Sequence, residues 1–205
     1  MAPPSSRADV AGPAGRIEVA IDAPEGSAKG VAVLCHPHPL HGGTMDNKVI
    51  QTLARAFVQL GWRAVRFNFR GVGASQGQWD HGVGEIDDAL AVVSALRDSS
   101  LPLALGGFSF GGYVAAQTAQ RLAAASTPAQ RVVLVGPATS TFPVPAVAAD
   151  SLVIHGEADD VVPLHATLDW ARPQGLPVVV LPGVGHYFHG QLTRLRELVL
   201  RGFGR

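Results

Sequence analysis

Short apolar runs rich in β-branched residues alternate with longer segments of helical periodicity from residue 16 to the end of the chain. Three of the runs, "GVAVLCH" (30–36), "LPLALGGF" (101–108) and "SLVIHG" (151–156), have the continuous apolar pattern of strands buried on both faces. The amphipathic segment 47–61 is typical of the intervening helices, and Gly61 is its expected stop. This order predicts an α/β fold, namely a three-layer α/β/α sandwich around a mostly parallel sheet of about six or seven strands.

The domain organisation follows from length and composition. A chain of 205 residues with 47% hydrophobic residues is long enough for one domain with a full core. The first segment, "MAPPSSRADVAGPAG" (1–15), lacks the apolar stretch of a signal peptide, and its prolines and glycines predict a disordered tail before a single domain at 16–205. No apolar run approaches the roughly 18 residues of a membrane span, so we expect a cytoplasmic protein.

The charge balance disfavours two classes of partner. Lys+Arg and Asp+Glu number 16 each, which gives no strong field for nucleic acid or an anionic membrane. The single cysteine, Cys35, cannot form an internal disulfide. The oligomeric state stays open at this point, with a homodimer as one candidate.

The segment "GGFSFGGY" (106–113) joins a predicted buried strand directly to a predicted helix and contains the pattern Gly-x-Ser-x-Gly around Ser109. A serine on such a sharp turn has strained backbone angles, and the glycines two residues away on either side avoid a collision. The turn also presents the hydroxyl at a helix N-terminus, where partial positive charge favours a developing anion. Ser109 is therefore the predicted nucleophile.

A serine hydroxyl needs a base, and the base needs a carboxylate to orient it. In this architecture both partners come later in the chain, first the acid and then the histidine, each after a strand. Asp159 and Asp160 follow the strand at 151–156, and His186 and His189 follow the last predicted strand at 176–183. His186 is the better candidate, because it comes immediately after the strand, whereas His189 opens the closing helix.

Four segments in the correct order carry a resemblance to a known family: "CHPHPLHGGTMDNKV", "RFNFRGVGASQG", "GFSFGG" and "HGEADDVVP". Together they resemble the α/β-hydrolase superfamily, and more narrowly its small, cap-less bacterial serine hydrolases related to dienelactone hydrolases. The resemblance selects Asp159 as the acid and leaves Asp160 as a solvated or capping neighbour. Only a short Pro/Ala-rich connection stands where larger members insert a lid, which implies an open, shallow site.

The family resemblance implies hydrolysis of short or medium acyl esters or thioesters by a Ser-His-Asp triad, without cofactor or metal. A thioesterase, a peptidase and a dienelactone-type hydrolase are the alternatives within the enzyme class. From another class, a non-catalytic member of the fold would keep the pocket and bind a small ligand or a partner protein.

The loop "CHPHPLHGG" (35–43) has the Cys and His density of a metal site, but its prolines stiffen it so that successive histidines point in different directions. Acyl transfer instead needs two backbone N–H groups aimed at an oxyanion, one of them from the residue after the nucleophile, Phe110. Because proline has no N–H, the second donor must come from His36, His38, Leu40 or His41. In relatives it lies two residues after the strand-ending histidine, which implies His38, with Leu40 as second choice. Candidate residues lining the substrate site are His41, Trp79, Phe108, Phe110, Phe142 and Tyr187, with core packing as the alternative role of the Trp, Phe and Tyr side chains.

Overall fold

The computed structural model describes residues 5–203, which form one mixed sheet flanked by α-helices on both faces. The strands are β1 (Ser6–Gly12), β2 (Gly15–Asp22), β3 (Val31–Cys35), β4 (Arg63–Phe67), β5 (Leu103–Phe108), β6 (Arg131–Val135), β7 (Leu152–Gly156) and β8 (Val178–Leu181). The helices are α1 (Lys48–Gln59), α2 (Gly84–Leu96), α3 (Phe110–Ala124), α4 (Leu164–Ala171) and α5 (Leu192–Phe203). Single 3-10 turns lie at Pro39–His41 and Arg172–Gln174.

The strand order is β1-β2-β4-β3-β5-β6-β7-β8. Strands β3 to β8 pair in parallel, whereas β1 and β2 pair antiparallel with each other and β2 pairs antiparallel with β4. The predicted α/β class and mostly parallel sheet are therefore confirmed. The count of eight strands exceeds the predicted six or seven because of β1.

Two apolar clusters lie on opposite faces of the sheet. Helices α1 and α5 cover one face with side chains such as Phe57, Leu53 and Leu195, and helices α2 and α3 cover the other with side chains such as Val92 and Val114. Each of these five side chains is fully buried, and burial of a large apolar side chain contributes about 1.5–3 kcal/mol. The packing holds the central strands rigidly and so fixes where their ends lie.

Helix α1 begins and ends as its sequence predicts. The Asn47 side chain accepts hydrogen bonds from the N–H groups of Val49 (2.9 Å) and Ile50 (3.4 Å), which otherwise would lack partners at the helix start. At the other end Gly61 has a φ of 84°, a left-handed conformation that only glycine adopts without strain.

The prediction of a disordered tail over residues 1–15 is wrong for Ser6–Gly12, which form strand β1; residues 1–4 lie outside the described residues. Gly12 pairs with Gly15, so Pro13 and Ala14 form a two-residue hairpin turn rather than part of a flexible tail. Val10 is buried. Arg7 lies within 3.4 Å of Glu18 and 3.1 Å of Asp46.

The carboxyl ends of β3, β5, β6, β7 and β8 come together at one edge of the sheet, because these strands are parallel neighbours. Residues 136–151, between β6 and β7, form no helix or strand, in agreement with the expected lack of a lid insertion. Within residues 5–203, no helix combines the length and the apolar character that crossing a membrane would require.

Candidate active site

Ser109 occupies the turn between β5 and α3 with a φ of 56° and a ψ of −119°, a conformation that is costly for a residue with a side chain. Close backbone packing explains why glycines lie two residues before and after Ser109. A Cβ at Gly107 would overlap the Gly111 carbonyl, and a Cβ at Gly111 would overlap the Cys35 carbonyl. The predicted strand–turn–helix context of Ser109 is thus present, and close backbone packing holds its strain in place.

Asp159 and His186 lie together after β7 and β8. His186 Nδ1 is 2.7 Å from Asp159 Oδ2, and both residues are buried, with 3% and 6% of their surface exposed respectively. The other carboxylate oxygen of Asp159 accepts hydrogen bonds from the N–H groups of Val161 (3.0 Å) and Val162 (2.7 Å). The carboxylate is therefore fixed from both sides and oriented toward the imidazole.

Burial tends to raise the pKa of Asp159, but the hydrogen bonds from His186 and from the Val162 N–H outweigh it, so that the pKa lies below its ordinary value. An ionised carboxylate at this position selects the imidazole tautomer with the proton on Nδ1. The neighbouring Asp160 and His189 are both exposed. The sequence offered two acids and two histidines as candidates, and in the structure Asp159 and His186 contact each other.

Ser109 and the Asp159–His186 pair converge at the carboxyl end of β6. The Ser109 N–H donates to the Val135 carbonyl over 2.9 Å, while a Cβ at the next residue, Gly136, would lie 3.5 Å from the His186 ring. The Ser109 hydroxyl makes no hydrogen bond to another residue in the described range 5–203. Such contacts in ligand-free enzymes are often long and tighten when substrate binds.

Phe108 corrects one expectation about the substrate site. Its side chain is fully buried in the core below the turn, and its ring centroid lies 4.8 Å from that of His186. Phe108 therefore supports the His186 imidazole and does not line an open surface, because its position as the last residue of β5 points it into the sheet packing. Of the other predicted lining residues, Tyr187 and His41 are exposed, and Trp79 and Phe142 are half-buried.

His155 is a second histidine beside the carboxylate, for which sequence reasoning assigned no role. It is fully buried at the end of β7, and its Nε2 lies 2.9 Å from the Val162 carbonyl and 3.4 Å from Asp159 Oδ2. Burial lowers the pKa of His155, against the opposing effect of its hydrogen bond to Val162, so the ring is neutral. A neutral Nε2–H that donates to Val162 holds the same loop residue whose N–H supports Asp159. The sequence feature that could have identified His155 is its position in "HGEADD", four residues before Asp159.

His36 anchors the loop that follows β3. Its Nδ1 lies 2.6 Å from the Pro37 carbonyl, and its Nε2 accepts the Phe69 N–H over 3.1 Å. Burial lowers the pKa of His36 to about 4, against the opposing effect of the Pro37 carbonyl. Burial also raises the pKa of the Cys35 thiol well above its ordinary range.

Both ring nitrogens of His36 are thus committed to protein partners, and the neighbouring thiol is held in its neutral form, which does not bind metals well. Within residues 5–203, no group of three or more His, Cys, Asp or Glu side chains is arranged to hold a metal ion. The metal-like composition of the loop has a structural explanation in the anchoring role of His36.

The backbone amides of the same loop divide into engaged and free groups. The Leu40 N–H donates to His38 Nδ1 over 3.2 Å, and the His41 N–H donates to the His38 carbonyl over 3.0 Å. The N–H groups of His38 and Phe110 make no hydrogen bond to another residue in the described part of the chain. Of the two proposed loop donors, Leu40 is occupied locally and His38 is free.

Comparisons with known proteins agree with this architecture. The sequence profile of the family described as serine aminopeptidase, S33, matches residues 27–149. A solved structure from Xanthomonas campestris, described as an α/β serine hydrolase without lid, is 38% identical with a TM-score of 0.89, and the match covers 100% of this chain and 96% of that one. An α/β serine hydrolase homologue from Coxiella burnetii is 39% identical with a TM-score of 0.87, and 99% of each chain is covered.

A curated relative, an uncharacterized protein from Rickettsia prowazekii (strain Madrid E), is 42% identical over 114 residues. That match covers 54% of this chain and 48% of the relative, so the chain spans about half the length of the curated relative it matches. The profile match over more than half of the chain and the full-length structural relatives above 30% identity lead to one conclusion. The chain belongs to the α/β-hydrolase superfamily, in the family described as serine aminopeptidase, S33.

Proposed function

We infer that the protein is a serine hydrolase that cleaves short or medium acyl esters or thioesters through an acyl-enzyme intermediate. The observation that carries this proposal is the 2.7 Å contact between His186 Nδ1 and Asp159 Oδ2, formed beside a serine in a strained strand-to-helix turn. A buried carboxylate–imidazole pair next to such a serine has the composition and chain order of a nucleophilic triad.

In the proposed reaction Ser109 Oγ attacks the carbonyl carbon, and His186 Nε2 takes the hydroxyl proton. Asp159 holds the imidazole in its tautomer and stabilises the imidazolium that forms. His186 then gives the proton to the leaving group, which departs and leaves the acyl group on Ser109. Water, deprotonated by the same imidazole, attacks the acyl-enzyme and frees both the acid and the serine.

The oxyanion formed in each step requires preorganised donors. The free N–H groups of His38 and Phe110 are the proposed pair, and Phe110 adds the positive end of helix α3. Leu40, the second choice from sequence, is disfavoured because the His38 side chain already accepts its N–H. Loss of one such donor typically costs about 2.7–4 kcal/mol of transition-state stabilisation.

Substitution of Ser109 by alanine tests the assignment directly. We expect Ser109→Ala to abolish turnover of 4-nitrophenyl acetate and butyrate while its circular dichroism spectrum stays that of the wild type. The matched control is Ser94→Ala, at an exposed position on helix α2, which should keep wild-type turnover. Undiminished turnover by Ser109→Ala would refute the assignment.

The other activities within the family are separated by a substrate panel. Acyl-CoA esters of several chain lengths test thioesterase activity, and amino-acid 4-nitroanilides test the aminopeptidase activity that the family description names. An enol-lactone substrate tests dienelactone-type hydrolysis. A folded protein that turns over no member of the panel would favour the non-catalytic, ligand-binding alternative. The cytoplasmic location and the homodimer remain predictions from sequence.

A further inference from the structure

Six aromatic rings form a continuous cluster beside Ser109, which we name the aromatic platform. Its members are His38, His41, Trp79, Phe110, Tyr113 and Phe142. The His38 ring centroid lies 4.5 Å from those of Trp79 and His41, and the Phe142 centroid lies 5.1 Å from Phe110 and 5.0 Å from Tyr113. These spacings lie in the range of favourable ring pairs. Residues from four separate segments of the chain therefore meet at one place.

The platform has a buried base and an accessible face. Phe110 and Tyr113, at 1% and 7% exposure, form the base. His38, Trp79 and Phe142 are half-buried, and His41 is exposed. Because Phe110 follows Ser109 directly and His38 carries the other proposed oxyanion donor, the accessible rings lie next to the place where a substrate carbonyl would sit.

The loop that presents Trp79 is held in a strained conformation. His81 has a φ of 53°, a left-handed conformation that is costly for a residue with a side chain, and Gly82, which adopts such a conformation freely, follows with a φ of 89°. A Cβ at Gly82 would come within 2.9 Å of the Tyr113 ring, which shows how tightly the loop packs on the platform. The fully buried Glu85 fixes the loop by accepting the N–H groups of Asp80 (2.9 Å) and Gly82 (2.8 Å). Strain of this kind persists only where surrounding contacts enforce it, and it concentrates at functional sites.

Four of the six platform rings, those of Trp79, Phe110, Tyr113 and Phe142, carry no charge near neutral pH. His38 Nδ1 accepts the Leu40 N–H, and its pKa is lowered by burial and by the neighbouring His41, so its ring carries no charge near neutral pH. The carboxylate of Glu85 is engaged by backbone amides, and that of Asp80 lies 3.7 Å from the Arg70 guanidinium. The rings therefore offer planar apolar contact to a substrate.

The chemistry of the proposed reaction decides which half of the substrate meets the platform. His186 must protonate the leaving group, so the leaving group lies on the side of His186 and Tyr187, whose rings are 5.2 Å apart. The acyl group extends to the other side of the carbonyl, toward His38, Trp79 and Phe142. We propose that the aromatic platform binds the acyl group of the substrate and selects acyl groups that end in an aromatic ring. This inference rests on the proposed serine-hydrolase function.

Two esters with the same leaving group test the proposal: 4-nitrophenyl 3-phenylpropanoate and 4-nitrophenyl 3-cyclohexylpropanoate. Their acyl groups have the same length, but only one ring is planar and aromatic. We expect the wild type to prefer the phenyl ester by about 3- to 10-fold in kcat/KM, the value of one or two ring contacts. In Trp79→Leu and Phe142→Leu the ratio should fall toward one. Trp62→Leu is the matched control, because Trp62 packs against Phe57 and Phe203 on the opposite face of the sheet; its ratio should stay that of the wild type.

The outcomes separate this inference from the proposed function. A wild-type ratio of one or below, or an unchanged ratio in both Trp79→Leu and Phe142→Leu, overturns the platform proposal while Ser109-dependent turnover still stands. No turnover of either ester by folded wild-type protein overturns the proposed function itself. Circular dichroism and covalent labelling by a fluorophosphonate identify any variant that has lost its fold, and the second platform variant then decides.

Discussion

Lowering the pH adds a proton to His36 in the unfolded chain before it does so in the folded protein. In the fold, His36 Nδ1 faces the Pro37 carbonyl and Nε2 accepts the Phe69 N–H, so a second proton would break the latter bond and place a charge in a fully buried site. The pKa of His36 is lowered from its ordinary 6.5 to about 4. Above the ordinary value both states are neutral, and His36 contributes no pH dependence.

Between about pH 6.5 and about pH 4 the unfolded state binds a proton that the folded state does not, so stability falls as the pH falls. At about pH 5 the pH lies about 1.5 units below the pKa of His36 in the unfolded chain. At 1.36 kcal/mol per unit, this difference corresponds to about 2 kcal/mol of lost stability. His38 and His155 also have lowered pKa values and act in the same direction. The contribution of His36 must therefore be isolated with a variant.

The variant His36→Asn can still donate to the Pro37 carbonyl but cannot take up a proton. We expect it to cost about 1–3 kcal/mol near pH 7.5, because the Phe69 N–H loses its acceptor. Between pH 7.5 and pH 5, however, urea unfolding should show a stability loss about 2 kcal/mol smaller than that of the wild type, with similar denaturant slopes. If both proteins lose the same stability over this range, His36 is not held neutral by the fold and the reasoning is wrong.

Three further substitutions test the candidate site. Asp159→Asn should lower kcat for 4-nitrophenyl butyrate by about 10³- to 10⁴-fold with little change in KM, because His186 loses its correct tautomer; a drop below tenfold would contradict the assigned role. His155→Leu removes the donor to the Val162 carbonyl and should lower stability by about 1–3 kcal/mol and kcat with it, whereas His155→Gln should restore part of both; equal effects of the two changes would contradict the hydrogen-bonding role. Gly111→Ala should destabilise the fold by about 2 kcal/mol or more in urea unfolding, and a neutral effect would show that the turn tolerates a Cβ.

The parallel core of the fold was predictable because periodicity reports burial on both faces of a strand. Strands β3 and β5 are fully buried along their length, and their continuous apolar runs allow no other placement in a three-layer fold. Strand β1 escaped prediction because its residues are mostly exposed and lie among prolines and glycines. Strand β1 is held by pairing with β2 and by ion pairs such as that of Arg7 with Asp46. These interactions produce no periodic pattern of apolar residues in the sequence.

Some features of the candidate site were likewise predictable from the sequence, and others were not. The position of Ser109 follows from local backbone sterics, and the joining of Asp159 with His186 follows from two loops at neighbouring strand ends, so a pattern of residues sufficed. The burial of Phe108 and the proximity of His155 to Asp159 depend on side-chain directions set by tertiary packing. Likewise, sequence left both His38 and Leu40 open as donors, and only the 3.2 Å contact between them separates the two.

The central claim is that Ser109 is an activated nucleophile. The most direct measurement is mass spectrometry of the intact protein and of its peptides after treatment with a fluorophosphonate probe. We predict a single adduct on the peptide that contains Ser109, formed by the wild type and absent from Ser109→Ala. A folded wild-type protein that stays unlabelled, or an adduct on any other residue, would contradict the account.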